Sequence, residues 1–219
     1  MQIVKLSLSE QARDALLEAV VSGKLPAGTR LTEEALCAEY SISRTPVRDA
    51  LAKLEADGLI ERLPNRGYQV RKMDVAAVDE LLSCRISVEM QIFSENYENI
   101  SRESLQELHS ELAAIAADAP DALAAARRID DDLHNIINDA CSNRYWREIH
   151  ARLLRQRLPY RDIRNKGGAD LALKLKNERL QLFEAILSGD KTRGIDALQE
   201  HLESGKRDAL TALQNNIQL

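Results

Sequence analysis

Two arginines and a threonine lie close together near the start of a segment with helical spacing. The apolar residues of this segment recur at Val47, Ala50, Leu51 and Leu54. Arg44, Thr45 and Arg48 therefore share the opposite face of the predicted helix. In a major groove, arginine can fork onto guanine, and threonine can contact a base edge or a phosphate. The spacing indicates a DNA-recognition helix.

Charged side chains also interrupt apolar stripes in the second half of the chain. Arg85 and Glu89 are four residues apart in one stripe, and Asp130 and His134 have the same spacing at the edge of another. Arg179 and His201 lie among leucines in two further segments. Burying a charge is costly unless it meets a partner or a ligand, so we expect these side chains to line one cavity. A carboxylate and an imidazole four residues apart can share a cation. His109 and His150 lie outside the stripes, and we expect them at the surface.

The elements around Arg44 have the order of a winged helix-turn-helix. Capping and periodicity predict helices over 8–22 and 33–39, and a third helix that starts at Ser43 and ends at Asp57-Gly58. Two short runs, 59–62 and 68–71, flank a turn that contains Arg66 and Gly67, so a β-hairpin wing follows the helices. Arg66, beside the small Gly67, can approach a minor groove or the DNA backbone.

The rest of the chain is predicted to be an antiparallel α-helical bundle. The pattern predicts helices over about 75–96, 102–117, 120–141, 143–164, 171–188 and 191–214. The predicted fold class is therefore mostly α, with a winged helix-turn-helix domain over 1–72 and a helical domain over 74–219. Aromatic residues make up only 4% of the chain, which also disfavours a sheet-rich fold.

Charge and composition narrow the function further. Residues 40–72 hold seven basic and four acidic side chains, although the whole chain has a net charge of −5. This asymmetry is typical of a nucleic-acid module joined to a domain that does not bind nucleic acid. No apolar run is long enough for a membrane span or a signal peptide, so we expect a cytoplasmic protein without a membrane partner. Three widely spaced cysteines favour neither a disulfide scaffold nor a cysteine-built zinc site.

The run "SRTPVRDALAKLEADG", from Ser43 to Gly58, resembles the hallmark of the GntR family of bacterial transcription regulators. The resemblance covers about a third of the chain and implies a dimeric repressor or activator on a short palindromic operator of double-stranded DNA. The DNA contacts that it implies come from Ser43, Arg44, Thr45, Pro46, Arg48, Arg66 and Gly67. One position departs from the pattern: many members carry arginine at the start of the second helix, where this chain has Glu34.

The length and helix order of the second half resemble the FCD effector domain of the FadR subfamily. Metal-binding FCD domains use an Asp, a His four residues later, and one His on each of the last two helices. Asp130, His134 and His201 match three of these positions, and Arg179 occupies the fourth. The resemblance therefore implies an incomplete site for a divalent metal such as zinc or nickel.

Replacing an imidazole with a guanidinium removes a ligand and adds a charge that repels a dication. Three alternatives follow. The first is a weakened metal site in which water takes the fourth position. The second is a metal-free pocket in which Arg179 pairs with Asp130 or with a carboxylate ligand. In the third, Asp130 and Arg179 form only a buried ion pair.

These observations predict a ligand-responsive transcriptional regulator, a homodimer and a repressor, and not an enzyme. Arg85 and Arg179 suggest a small carboxylate effector, with Glu89 in the same site. One alternative is a metal-dependent hydrolase built on residues 130–132 and His134, but consecutive helical residues point in different directions. Another is an architectural DNA-binding protein without a ligand, which the charged residues in apolar stripes disfavour.

Overall fold

The computed structural model describes residues 6–64, 66–116, 118–119, 121–161 and 168–217. The chain divides into two units, Met1–Ala77 with Arg155–Asp162, and Val78–Leu154 with Ile163–Leu219. Each unit has its own apolar interior.

The first unit begins with the predicted capping box. Glu10 N donates to Ser7 Oγ at 3.2 Å, and Ser7 N donates to Glu10 Oε2 at 2.8 Å. Helices α1 (Leu8–Val21), α2 (Glu33–Tyr40) and α3 (Arg44–Ala56) follow the predicted order. Thr32 caps α2, whereas the Ser43 hydroxyl makes no capping hydrogen bond at the start of α3.

A small antiparallel sheet completes the winged helix-turn-helix. Strands β1 (Arg30–Leu31), β2 (Ile60–Leu63) and β3 (Gly67–Val70) lie in the order β1-β3-β2, with Glu61 opposite Gln69. Strands β2 and β3 are the predicted hairpin. Strand β1 was not predicted from the sequence because two residues are too few to show an alternating pattern.

The interior of the first unit is the apolar side of its helices. Side chains from α1 and α3, among them Leu16, Leu51 and Leu54, share one apolar cluster with Ile60 and Tyr68 of the sheet. The apolar stripe of α3 is fully buried in this cluster. The polar face of α3 is consequently the exposed one.

The second unit is an α-helical bundle. Its helices are α4 (Val75–Asn96), α5 (Arg102–Ala114), α6 (Ala122–Asp139), α7 (Arg144–Arg161), α8 (Gly168–Leu187) and α9 (Lys191–Ile217). Val75–Ala77 of α4 and Arg155–Arg161 of α7 belong to the first unit, whereas the rest of both helices belongs to the second. The predicted mostly α fold class is confirmed. The predicted helix ends at 117, 120 and 164 fall outside the described residues.

Helix α8 packs against α5, α6 and α9, and apolar side chains fill the spaces between these helices. Phe93, Leu105, Ile129, Leu133 and Phe183 are fully buried. Among the described residues, no helix has the length and apolarity that crossing a membrane requires.

Candidate DNA-contact face and buried polar network

The predicted recognition residues lie together at the start of α3. Arg44, Thr45 and Arg48 are exposed, and Pro46 is half-buried, while Val47 between them is fully buried. Because Val47 anchors this turn in the core, the two guanidinium groups are held on the solvent side of a fixed helix. Ser43 is exposed directly before the helix.

Arg48 has a defined partner on α2. Its Nε donates to Glu33 Oε1 at 3.0 Å and its Nη2 donates to Glu33 Oε2 at 2.9 Å. The hydrogen bond from Arg48 lowers the pKa of the Glu33 carboxyl, and the nearby charges of Arg44 and Arg62 lower it further. Glu33 is therefore an ionised carboxylate surrounded by arginines of the predicted DNA face.

The wing residues lie at the turn between β2 and β3. The Arg66 side chain is exposed, and its backbone oxygen accepts a hydrogen bond from Arg30 Nε at 2.9 Å. Gly67 has a φ of +80°, and a Cβ at this position would lie 2.7 Å from Leu31 O. Only glycine fits there without strain, so Gly67 sets the path of the wing.

Eight side chains form a polar network inside the second unit, which we call the buried network. They come from α4, α6, α7, α8 and α9 and are Arg85, Glu89, Asp130, His134, Asn138, His150, Arg179 and His201. All six residues that sequence reasoning placed in a single cavity are among them. Seven of the eight are buried, and 15% of the His201 side chain is exposed.

Asp130 is the centre of one half of this network. Arg179 Nε donates to Asp130 Oδ1 at 3.0 Å, and His201 Nε2 lies 3.2 Å from the same oxygen. Arg179 Nη1 also donates to Leu175 O at 3.0 Å, which fixes the guanidinium against its own helix. The pairing of Arg179 with Asp130 is one of the alternatives that the sequence leaves open.

His134 joins the two halves, since its Nε2 lies 3.7 Å from Asp130 Oδ2 and its ring also contacts Arg85 and Glu89. Arg85 Nη2 lies 2.9 Å from His134 Nε2, and Glu89 Oε1 contacts His134 Nδ1. A guanidinium only donates hydrogen bonds, so Nε2 must be the acceptor and Nδ1 must carry the proton that is donated to Glu89. Arg85 Nη2 also lies 3.1 Å from Glu89 Oε2.

His150 belongs to the network, and its predicted surface location is wrong. Its side chain is fully buried, with Nε2 at 3.1 Å from Glu89 Oε2 and Nδ1 at 3.1 Å from Asn138 Oδ1. The ring links α4, α6 and α7. Sequence reasoning missed it because its neighbours on the helix are mostly charged, although Leu153 and Leu154 lie three and four residues further on. His109, also expected at the surface, is half-buried.

The network holds both carboxyl groups in their charged forms. Burial alone would raise the pKa of Glu89, but contacts with His134 and Arg85 hold it well below its ordinary value. In the same way, Arg179 and His201 outweigh the burial of Asp130 and hold its pKa well below the usual range. Burial lowers the pKa of His201, although Asp130 opposes that shift. His201 is therefore neutral at neutral pH.

Asp130, His134 and His201 have the geometry of possible metal ligands. One ligand atom from each lies within 4.8 Å of the others. However, guanidinium groups already contact two of these ligand residues, Arg179 at Asp130 and Arg85 at His134.

A cleft of about 200 Å³ lies beside the network between α8 and α9. His201 contributes to its wall together with Glu178, Gln181, Leu182, Ala197, Glu200 and Ser204. Through His201 the cleft adjoins the buried network.

Comparison with known proteins identifies the family of the N-terminal part of the chain, with its predicted DNA face, and of the part that contains the buried network. Residues 8–70 match the family described as bacterial regulatory proteins of the gntR family, and residues 80–204 match the FCD domain. The protein belongs to the GntR family and carries an FCD domain. It is a DNA-binding transcriptional regulator, and both matches identify such a regulator rather than an enzyme.

Individual relatives agree with this family. The HTH-type transcriptional repressor RspR of Escherichia coli is 24% identical over 215 residues, which cover 95% of this chain and 92% of RspR. The crystal structure of a GntR regulator from Rhodococcus sp. RHA1 is 20% identical, with a TM-score of 0.75 over 94% of this chain and 99% of that one. The FCD match over residues 80–204 includes all eight residues of the buried network.

The FCD domain of TM0439 in its Zn²⁺-bound form is also similar to this chain. It is 26% identical, with a TM-score of 0.56, over 65% of this chain and 97% of that domain. An FCD domain of this fold therefore holds zinc in a similar protein. Whether the residues here fit a metal depends on the two arginines.

Proposed function

We propose that this GntR regulator is a homodimeric repressor whose FCD domain binds a small organic anion in the buried network. The domain boundaries of this proposal are 1–72 for the DNA-binding domain and 74–219 for the effector domain. One observation carries the effector assignment. Arg85 Nε is a buried donor, and within the described part of the chain it has no hydrogen-bond partner.

An unsatisfied buried donor costs about 1–3 kcal/mol, and more when it belongs to a charged group. A carboxylate that accepts a hydrogen bond from Arg85 Nε removes this cost. Each guanidinium has five N–H groups, and the contacts described above use only some of those on Arg85 and Arg179. The two arginines can therefore receive an anion in addition to their present partners, with Glu89 holding Arg85 in place.

Charge balance also favours an anion. The permanent charges of Arg85 and Arg179 equal and oppose those of Glu89 and Asp130. A monocarboxylate adds one negative charge next to two guanidinium groups, which attract it. A divalent cation adds two positive charges beside the same two arginines, which repel it.

The residues present therefore fit a dication poorly. Asp130, His134 and His201 supply suitable ligand types, which is the observation that favours a metal as a second candidate. A metal there would have to displace Arg179 from Asp130 and Arg85 from His134 Nε2. The proposed anion binding consequently does not depend on zinc or nickel.

Thermal unfolding in the presence of EDTA tests the effector assignment. A ligand at 100 times its Kd stabilises the folded state by about 2.7 kcal/mol. We expect at least one member of a panel of small mono- and dicarboxylates to raise the Tm of the wild type, and we expect Arg85→Met to abolish that shift. A shift that appears only after zinc is added would support the metal site instead.

The DNA contacts of the proposal come from α3 and the wing. They are Ser43, Arg44, Thr45, Pro46, Arg48, Arg66 and Gly67. Arg44→Ala should weaken binding to an operator duplex by about 1–3 kcal/mol and relax the preference at one base pair in each half-site. Unchanged affinity and specificity would remove Arg44 from the interface.

Homodimerisation and repression complete the proposal. A single recognition helix makes few base contacts, whereas a two-fold dimer places two helices on related half-sites. The repressor RspR supports the direction of regulation. Sedimentation at micromolar concentration, with and without DNA, tests the dimer, and a strict monomer in both states would overturn it.

A further inference from the structure

Glu33 lies beside the arginines of the DNA face, where a negative charge opposes DNA binding. Its carboxylate is 30% exposed, and it is the first residue of α2, directly after the N-cap Thr32. A carboxylate is favourable at a helix N-terminus, but many other positions in the first turn would serve that purpose without facing Arg48. The position of Glu33 therefore indicates a role that involves Arg48.

The hydrogen-bond geometry of the Glu33–Arg48 pair indicates what this role is. Glu33 accepts from Nε and Nη2 of Arg48 at 3.0 and 2.9 Å, which is a two-bond fork along one edge of the guanidinium. Arg48 has five N–H groups, so three remain, and two of these lie along the end of the guanidinium, one on Nη1 and one on Nη2. That end edge is the one that can fork onto guanine O6 and N7 or onto a phosphate.

We propose that Glu33 is a positioning residue that holds the Arg48 guanidinium with its free end toward the operator, and so contributes to sequence specificity. This inference rests on the proposed role of Arg48 in DNA contact. The Arg48 side chain is 63% exposed, so without a partner it samples many rotamers. The fork reduces that freedom before DNA is bound, and the cost of ordering Arg48 on the operator falls accordingly.

The neighbouring Glu34 provides a matched control. It is in the same first turn of α2, carries the same charge and is exposed. Glu33→Gln and Glu34→Gln each remove one negative charge near the DNA face. Only the first removes the fork, because a glutamine offers one acceptor and one donor group where Arg48 needs two acceptors.

The experiment compares two duplexes by fluorescence anisotropy with the full-length protein. The specific duplex is the consensus that the wild type selects from a random-core library, and the non-specific duplex is a scrambled version of equal length and composition. The measured quantity is the specificity ratio, which is the Kd for the scrambled duplex divided by the Kd for the specific duplex. An exposed ion pair contributes little to stability, so the Tm of both variants should stay close to that of the wild type.

We expect both variants to bind the scrambled duplex more tightly than the wild type, by similar factors, because each removes one repulsive charge. Glu33→Gln should lower the Kd ratio about five- to tenfold, since ordering one long side chain at an interface has a cost of this order. Glu34→Gln should leave the ratio within about twofold. In an Arg48→Ala background, Glu33→Gln should no longer change the ratio.

Two results would overturn the inference. Equal ratios for Glu33→Gln and Glu34→Gln would mean that Glu33 acts only as a charge, and a higher ratio for Glu33→Gln would mean that it masks Arg48. Failure of the proposed DNA face gives a different result, because then Arg44→Ala and Arg48→Ala would both bind the selected duplex like the wild type.

Discussion

Removal of the Arg179 guanidinium tests the buried network in the second unit. In Arg179→Met, Asp130 loses its contact at 3.0 Å and keeps, among the described residues, only His134 and His201 as partners. Both side chains of the wild-type pair are 7% exposed. Breaking a buried ion pair by removing one partner costs about 3–5 kcal/mol. For a protein of this size that loss corresponds to a fall in Tm of about 6 to 20 °C.

The assay is thermal unfolding at pH 8, because a high pH disfavours a proton on His201 that would replace the lost charge. Arg128→Met is the matched control, because Arg128 is half-exposed and pairs with Glu111 and Asp132. We expect the control to lose less than about 1 kcal/mol. Adding Asp130→Leu to Arg179→Met should recover stability, since it removes the orphaned charge. Equal small losses in Arg179→Met and Arg128→Met would refute the buried pair.

Three further predictions concern metal affinity, pH and the wing. Arg179→His should raise zinc or nickel content after dialysis well above that of the wild type, because it supplies a fourth ligand and removes a cation; equal content would place position 179 outside the ligand set. The lowered pKa of His201 means that the unfolded chain takes up its proton first as the pH falls below 6.5. This residue's contribution to stability is therefore present above pH 6.5 and is lost below it, so the Tm of the wild type should fall more between pH 7.5 and 5.5 than that of His201→Gln. Gly67→Ala should cost about 1–3 kcal/mol because of its φ of +80° and the 2.7 Å approach to Leu31 O, and denaturation curves measure that loss.

Much of the fold could be predicted because capping residues and apolar periodicity along the chain mark where helices begin and which of their faces are buried. The capping box of Ser7 and Glu10 and the apolar stripe of α3 give helix starts and faces directly. Strand β1 could not be predicted, since its two residues are fixed by pairing with β3 rather than by local pattern. The N-cap position of Ser43 was predicted, but the lack of a hydroxyl bond there was not.

The buried network could likewise be predicted only in part, because some of its residues are recognisable from their sequence neighbours and others are buried only by helix packing. Charged residues in apolar stripes reveal Arg85, Glu89, Asp130 and Arg179, because their helical neighbours are apolar. His150 has mostly charged neighbours, and only the packing of α7 against α4 and α6 buries it. Which partner each arginine takes also depends on tertiary structure. Spacing along the chain cannot distinguish a ligand pocket from an ion pair between helices.

Operator binding in EDTA, with and without a stabilising carboxylate, tests most directly whether this regulator senses an anion without a metal. The measurement is the Kd for the selected duplex, by anisotropy, for the wild type and for Arg85→Met. We predict that the carboxylate changes the wild-type Kd at least about fivefold, a coupling of about 1 kcal/mol, and leaves Arg85→Met unchanged. A wild-type Kd that responds to the carboxylate only when zinc or nickel is supplied would contradict the proposal.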